Sequence, residues 1–106
     1  MIAQLARAIS RAISSAVNKP SQRRPIAVTF WGKGDCSLCD RAHEILDKLS
    51  REYPMLVTVR DITSDQDAFD RYRDVIPVIE IEGGPRYDGK ITEYWLRKGL
   101  NEARRG

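Results

Sequence analysis

The run Ile26-Ala27-Val28-Thr29-Phe30-Trp31 puts apolar or β-branched residues on both faces of a strand. A strand of that kind needs parallel pairing and cover above and below. It leads into Gly32-Lys33-Gly34-Asp35-Cys36-Ser37-Leu38-Cys39 and then into a helical pattern, so both cysteines fall at a strand-to-helix junction. A thiol at that point lies beside backbone N–H groups with no partner inside the helix, and their partial positive charge favours the thiolate. The thiolate is the attacking species in thiol–disulfide exchange, and a second cysteine one turn on is close enough to resolve a mixed disulfide. Two cysteines this close cannot staple distant segments as a secreted disulfide framework does. They fit a reactive pair in a reducing, cytoplasmic compartment.

Taken in order, the chain alternates helical and extended patterns after its first 24 residues. From Ser37 to about Tyr53, Leu38, Ala42, Ile45, Leu46 and Leu49 keep helical spacing, and Pro54 closes the helix. Met55 to Ile62 reads as the second strand, parallel to the first across that helix. Asp61 to Ser64 supplies capping side chains for a short helix, about Asp65 to Tyr72, with Ala68, Phe69 and Tyr72 on its buried face. The acids Asp65 and Asp67 suit the positive end of that helix. Val75 to Ile81 is the third strand, with Pro77 near its entrance. Glu82-Gly83-Gly84-Pro85 turns it into an antiparallel edge strand, Arg86 to Lys90. Thr92 caps a last helix, Glu93 to about Arg105, with Ile91 and Leu96 placed as a hydrophobic staple. Trp31 is expected in the core or in a pocket wall, and Tyr94 and Trp95 are expected in the core.

Charge separates the first 24 residues from this body. The net charge is +3, yet Arg7, Arg11, Lys19, Arg23 and Arg24 stand there with no acid, so Pro25 to Gly106 is left at about −2. Such a body, with dispersed aromatics, does not suit nucleic acid. No apolar run approaches the roughly 20 residues of a membrane span. Within residues 1–24, Ile2, Leu5, Ile9, Ile13 and Val17 step by three and four, which predicts a basic amphipathic helix followed by a proline-bracketed linker. Three readings stand: a helix packed on its own domain or a partner, a cleaved mitochondrial targeting segment, and a membrane-surface anchor. Residues 25–106 form the second unit.

The body order β-α-β-α-β-β-α, with Cys36-Ser37-Leu38-Cys39 after the first strand and Ile76-Pro77-Val78 opening the third, resembles the thioredoxin fold. Within it the chain is similar to small glutaredoxin-like proteins with Cys-x-Leu-Cys. The resemblance runs from about Ile26 to Leu100 and includes Lys33 and Asp61-Ile62. It implies an α/β fold with a four-stranded mixed sheet, extended here by the N-terminal segment. It also implies a dithiol oxidoreductase with Cys36 as nucleophile, Cys39 as the buried resolving thiol, and a cis Ile76-Pro77 bond. Ile76 then pairs its backbone with an incoming extended peptide, and Lys33 favours the thiolate and meets a glutathione carboxylate. The substrate-facing set is Lys33, Ser37, Leu38, Ile76 and Pro77. The partner is a disulfide-bearing protein or glutathione, the latter as co-substrate, with no resident cofactor.

Departures from the family pattern are specific. Ser37-Leu38 stands where glutaredoxins commonly have Pro-Tyr. Asp88-Gly89 falls where they have Gly-Gly, whereas Gly83-Gly84 comes too early and belongs to the hairpin. Asp35 opposes the thiolate by like-charge repulsion. A second reading uses the cysteines to hold a metal or an iron–sulfur cluster. His43 extends the motif to Cys-x-x-Cys-x-x-x-His, still short of the four ligands of a closed zinc site unless another chain or glutathione completes it. Left out of such a site, His43 reads as a partly exposed helix residue.

Overall fold

In the computed structural model, which describes residues 24–105, Ile26–Gly32 forms the central strand β1. It pairs in parallel with β2 (Met55–Asp61), from Ile26 opposite Met55 to Gly32 opposite Asp61. On its other edge it pairs antiparallel with β3 (Val78–Ile81), with Phe30 opposite Ile79. The edge strand β4 (Arg86–Asp88) is antiparallel to β3, so the four-stranded mixed sheet has the order β2-β1-β3-β4. The helices are α1 (Ser37–Leu49), α2 (Gln66–Tyr72) and α3 (Glu93–Arg105), with a 3-10 turn at Ile62–Ser64. This is the expected thioredoxin-like order. The N-terminal segment and its three readings lie outside the described residues. No helix among those described is long and apolar enough to cross a membrane.

The period-2 alternation of the strands sorts the core into two layers. On one face Ile26, Val28 and Phe30 of β1, with Met55, Val57, Ile79 and Ile81, meet Cys39, Ala42, Leu46 and Leu49 of α1 and Leu96 and Leu100 of α3. A fully buried leucine contributes about 1.5–3 kcal/mol, and this face holds four of them, Leu46, Leu49, Leu96 and Leu100. On the other face Trp31 and Val78 meet Ile62, Ala68 and Tyr72. A single carboxylate, Glu80, ties that layer together by accepting from Trp31 Nε1 at 3.0 Å and from the Tyr72 hydroxyl at 2.8 Å.

Several expectations change in detail. β1 is not sealed on both faces: Ala27 and Thr29 are half-buried, because α2 is short and covers only the end of the sheet near Trp31. α1 stops at Leu49, and the chain closes it with turns through Ser50 and Tyr53, whose N–H groups donate to the Leu46 and Leu49 carbonyls at 2.9 Å. Ile62 leaves the sheet to enter the 3-10 turn, whose cap is the Asp61 carboxylate accepting the Thr63 N–H at 2.8 Å. β3 begins only at Val78, because Val75 and Ile76 return their N–H groups to the Tyr72 carbonyl. β4 ends at Asp88, not Lys90. Tyr94 and Trp95 are solvent-exposed at 67% and 49%, stacked edge-on with each other rather than placed in the core. On α3 the inward face is set by Leu96, Gly99 and Leu100 instead.

Two tethers fix α3 against α1. The staple forms as expected, with Ile91 and Leu96 both in the core and Thr92 Oγ1 accepting the Trp95 N–H at 3.3 Å. At the surface Arg97 grips Glu52 through two nitrogens and also reaches Glu93, which Lys48 contacts in turn. Hydrogen bonding to Arg97 holds the carboxyls of Glu52 and Glu93 below the usual carboxylate value.

Gly99 decides how closely α3 approaches the β3–β4 hairpin. A Cβ at Gly99 would stand 2.8 Å from the Tyr87 hydroxyl and 3.0 Å from the Pro85 ring, and one at Gly84 would stand 3.1 Å from the Gly99 carbonyl. Substitution Gly99→Val is therefore expected to cost about 1–3 kcal/mol of stability by overpacking, despite the better helix propensity of valine. Urea unfolding midpoints of the two proteins check it, and an unchanged midpoint contradicts it.

Candidate active site at the start of α1

The turn that carries the cysteines is built by backbone conformation. Asp35 takes a left-handed φ of 59°, a region that Asp tolerates better than most side chains, and Cys36 follows in extended conformation as the N-cap of α1. The cap is a sulfur: the Cys39 N–H donates to Cys36 Sγ at 3.1 Å. Cys36 is half-buried and Cys39 is 3% exposed, and the two are joined as a disulfide. Space for the inner sulfur comes from Gly32. A Cβ there would lie 3.2 Å from Cys39 Sγ and 3.0 Å from the Phe30 ring edge. Gly32 is the last residue of β1, and its buried position against the disulfide gives it a packing role that composition does not signal.

The Ile76-Pro77 peptide is cis, as the resemblance implies. Ile76 is half-buried and packs on the same core as Cys36, while Pro77 is fully buried. The Ile76 N–H is already bonded to the Tyr72 carbonyl at 3.0 Å. Its carbonyl is thus the group it can offer an extended peptide. Gly89, with a φ of 71°, anchors this segment, its N–H bonding to the Val75 carbonyl at 2.9 Å and to that of Pro77 at 3.0 Å. That is the observed work of the Asp88-Gly89 pair.

Among the remaining expected contacts, Ser37 and Leu38 are exposed. They line a cleft of about 510 Å³ that runs along α1 past Arg41 and Ile45 to the start of α3 at Lys90 to Glu93. Leu38 is 45% exposed, with its side chain in the cleft wall. Lys33 is exposed on the loop after β1, and its charge helps hold the Asp61 carboxyl below its usual value, behind the larger effect of the hydrogen bonds from Thr63. Among the described residues no hydrogen bond joins Lys33 to Cys36, whose sulfur accepts the Cys39 N–H.

His43 departs most from expectation. It is 8% exposed, with its ring edge-on to Phe30 at 5.7 Å and Nε2 buried without a hydrogen-bond partner. Among the described residues no group of three or more His, Cys, Asp or Glu side chains is gathered as a metal ion requires. Burial lowers the His43 pKa from the ordinary 6.5, against the pull of the Asp47, Asp40 and Glu44 carboxylates. The unfolded chain then binds more protons than the fold in acid. Stability is complete above the ordinary value of 6.5 and is lost as the pH falls through and below it. The His43→Phe variant is expected to show a flatter stability profile between about pH 7 and 5. Denaturant midpoints across that range test this, and parallel profiles refute it.

Comparison with known proteins bears on this geometry in two ways. No curated protein matches the chain in sequence. A family model described as a glutaredoxin-like domain (DUF836) matches residues 27–101, from the second residue of β1 into α3 and including both cysteines and the cis-proline. The chain belongs to that glutaredoxin-like domain family.

Proposed function

We propose that this protein is a thiol–disulfide oxidoreductase in which Cys36 attacks and Cys39 resolves. The observation that supports it most is the asymmetry of the pair. Cys36 Sγ is the helix cap, bonded by the Cys39 N–H at 3.1 Å and partly open to solvent, whereas Cys39 is 3% exposed. An N–H donor and a helix N-terminus favour negative charge on the outer sulfur, so the thiol that a substrate can reach is also the one more readily ionised.

The chemistry needs only these two groups. In the reduced protein the Cys36 thiolate attacks one sulfur of a substrate disulfide in line, forming a mixed disulfide and releasing the other substrate sulfur as a thiolate. Cys39, deprotonated, then attacks Cys36 Sγ. The bond from Cys36 to the substrate breaks, the second substrate sulfur leaves, and the protein is left oxidised as the Cys36–Cys39 disulfide. An extended substrate segment would set its backbone against the Ile76 carbonyl beside Pro77, and its neighbouring side chains would meet Ser37 and Leu38 along the cleft. The disulfide presented is that of a protein or of glutathione, with Lys33 positioned on the adjoining loop to receive a carboxylate. A separate reductant returns the pair to the dithiol.

Substitution Cys36→Ser is expected to abolish disulfide reduction, while Cys39→Ser should accumulate a mixed disulfide on Cys36 that is visible as an intact-mass increase equal to the substrate thiol. Turnover that survives Cys36→Ser refutes the assignment. The pH dependence of iodoacetamide alkylation of Cys36 in the Cys39→Ser protein provides a second check. Its midpoint is expected below the free-thiol value of roughly 8.5, and a midpoint above that value contradicts the role given to the helix cap.

A further inference from the structure

A buried polar atom without a partner costs about 1–3 kcal/mol and asks for an explanation. His43 Nε2 is such an atom, the one buried side-chain nitrogen or oxygen without a partner among the described residues. It sits four residues after Cys39 on the buried face of α1, a spacing that brings Cβ atoms to about 5–6 Å. Helical side chains lean towards the N-terminus, which carries the His43 ring over the turn that Cys39 occupies. Phe30 borders both groups. Its ring is edge-on to His43 at 5.7 Å, and its edge and the Cys39 sulfur both crowd the same point beside Gly32. The other buried residues of that face are Ala42, Leu46 and Leu49, none with a polar side-chain atom. Cys39 is therefore the side chain of this face with a proton to share, and it has one only when reduced. In the disulfide-bonded state Cys39 has no such proton, and His43 Nε2 stands without a partner.

We propose that His43 takes the Cys39 proton when the mixed disulfide resolves. This rests on the exchange reading above. The Cys39 S–H bond breaks and the proton moves to Nε2. The sulfur lone pair forms the bond to Cys36 Sγ, the bond from Cys36 to the substrate sulfur breaks, and that sulfur leaves as a thiolate. The imidazolium then returns the proton to the departing thiolate or to water. Burial keeps the ring neutral near pH 7, as a proton acceptor must be. Among the described residues, the charged groups bearing on it are Asp40, Glu44 and Asp47 of its own helix, while β1 presents Phe30, which carries no charge. A buried thiol has a raised pKa and gains most from such an acceptor.

The reaction of reduced protein with an aromatic disulfide, dithiobis-nitrobenzoate, separates the two steps. One chromophoric thiolate is released when Cys36 attacks, and a second when Cys39 resolves. His43→Phe is expected to leave the first phase within about twofold and to slow the second at least about tenfold at pH 7, with the difference vanishing at alkaline pH where Cys39 ionises unaided. Equal second phases at pH 7, or a slowing that persists unchanged at alkaline pH, overturn the proposal. A Cys39→Ser protein whose one remaining thiol, Cys36, releases no thiolate overturns the exchange reading and this step with it. Should the His43→Phe variant not fold, the 15N resonance of His43 Nε2 in the wild-type protein decides instead: it is expected to shift on reduction of the disulfide, and an unchanged resonance refutes the pairing.

Discussion

The hydrogen bond from the Cys39 amide to the Cys36 sulfur sets where α1 begins, and the rest of the site is arranged around that choice. Caps are ordinarily oxygen atoms of Ser, Thr, Asp or Asn. Using a sulfur means that the group terminating the helix is also the thiol proposed to react, so the field of the helix end acts on it at contact distance. The cap further dictates the phase of α1. With Cys36 outside the first turn, Cys39 falls on the inward stripe with Ala42, His43, Leu46 and Leu49. One structural decision thus makes the outer thiol accessible and the inner one dry.

Much of this was legible in the sequence because it rests on local patterns. The apolar run of β1, the helical spacing after Ser37, the staple of Ile91 and Leu96, and the hairpin at Gly83-Gly84 each derive from residues near one another in the chain, and each appears in the structure. The cysteine pair and Ile76-Pro77 were legible for a different reason: their order along the chain resembles one fold, and that fold brings them onto a common core.

What was not legible depends on neighbours far away in sequence. Tyr94 and Trp95 look like core residues by type, yet the rotation of α3 is settled by Gly99 against Tyr87 and Pro85, which turns Leu96 and Leu100 inward and leaves the two aromatics outside. His43 looks like a surface histidine between Arg41 and Glu44, but the phase of α1 and the Phe30 ring bury it. The partial exposure of Ala27 and Thr29 follows from the shortness of α2, which ends when the chain must reach Ile76-Pro77. In each case the deciding contact joins elements that no window of sequence contains.

Tyr72 carries a consequence that concerns how the two walls of the site are held at a fixed separation. Its hydroxyl is bound to Glu80 of β3, the same carboxylate that holds Trp31 at the end of β1, and its carbonyl accepts the N–H of Ile76. The strand that delivers the cysteines and the loop that faces them are therefore referenced to one tyrosine in the layer behind the sheet. The spacing between the cysteine turn and the Ile76-Pro77 loop is thus referenced to the layer behind the sheet.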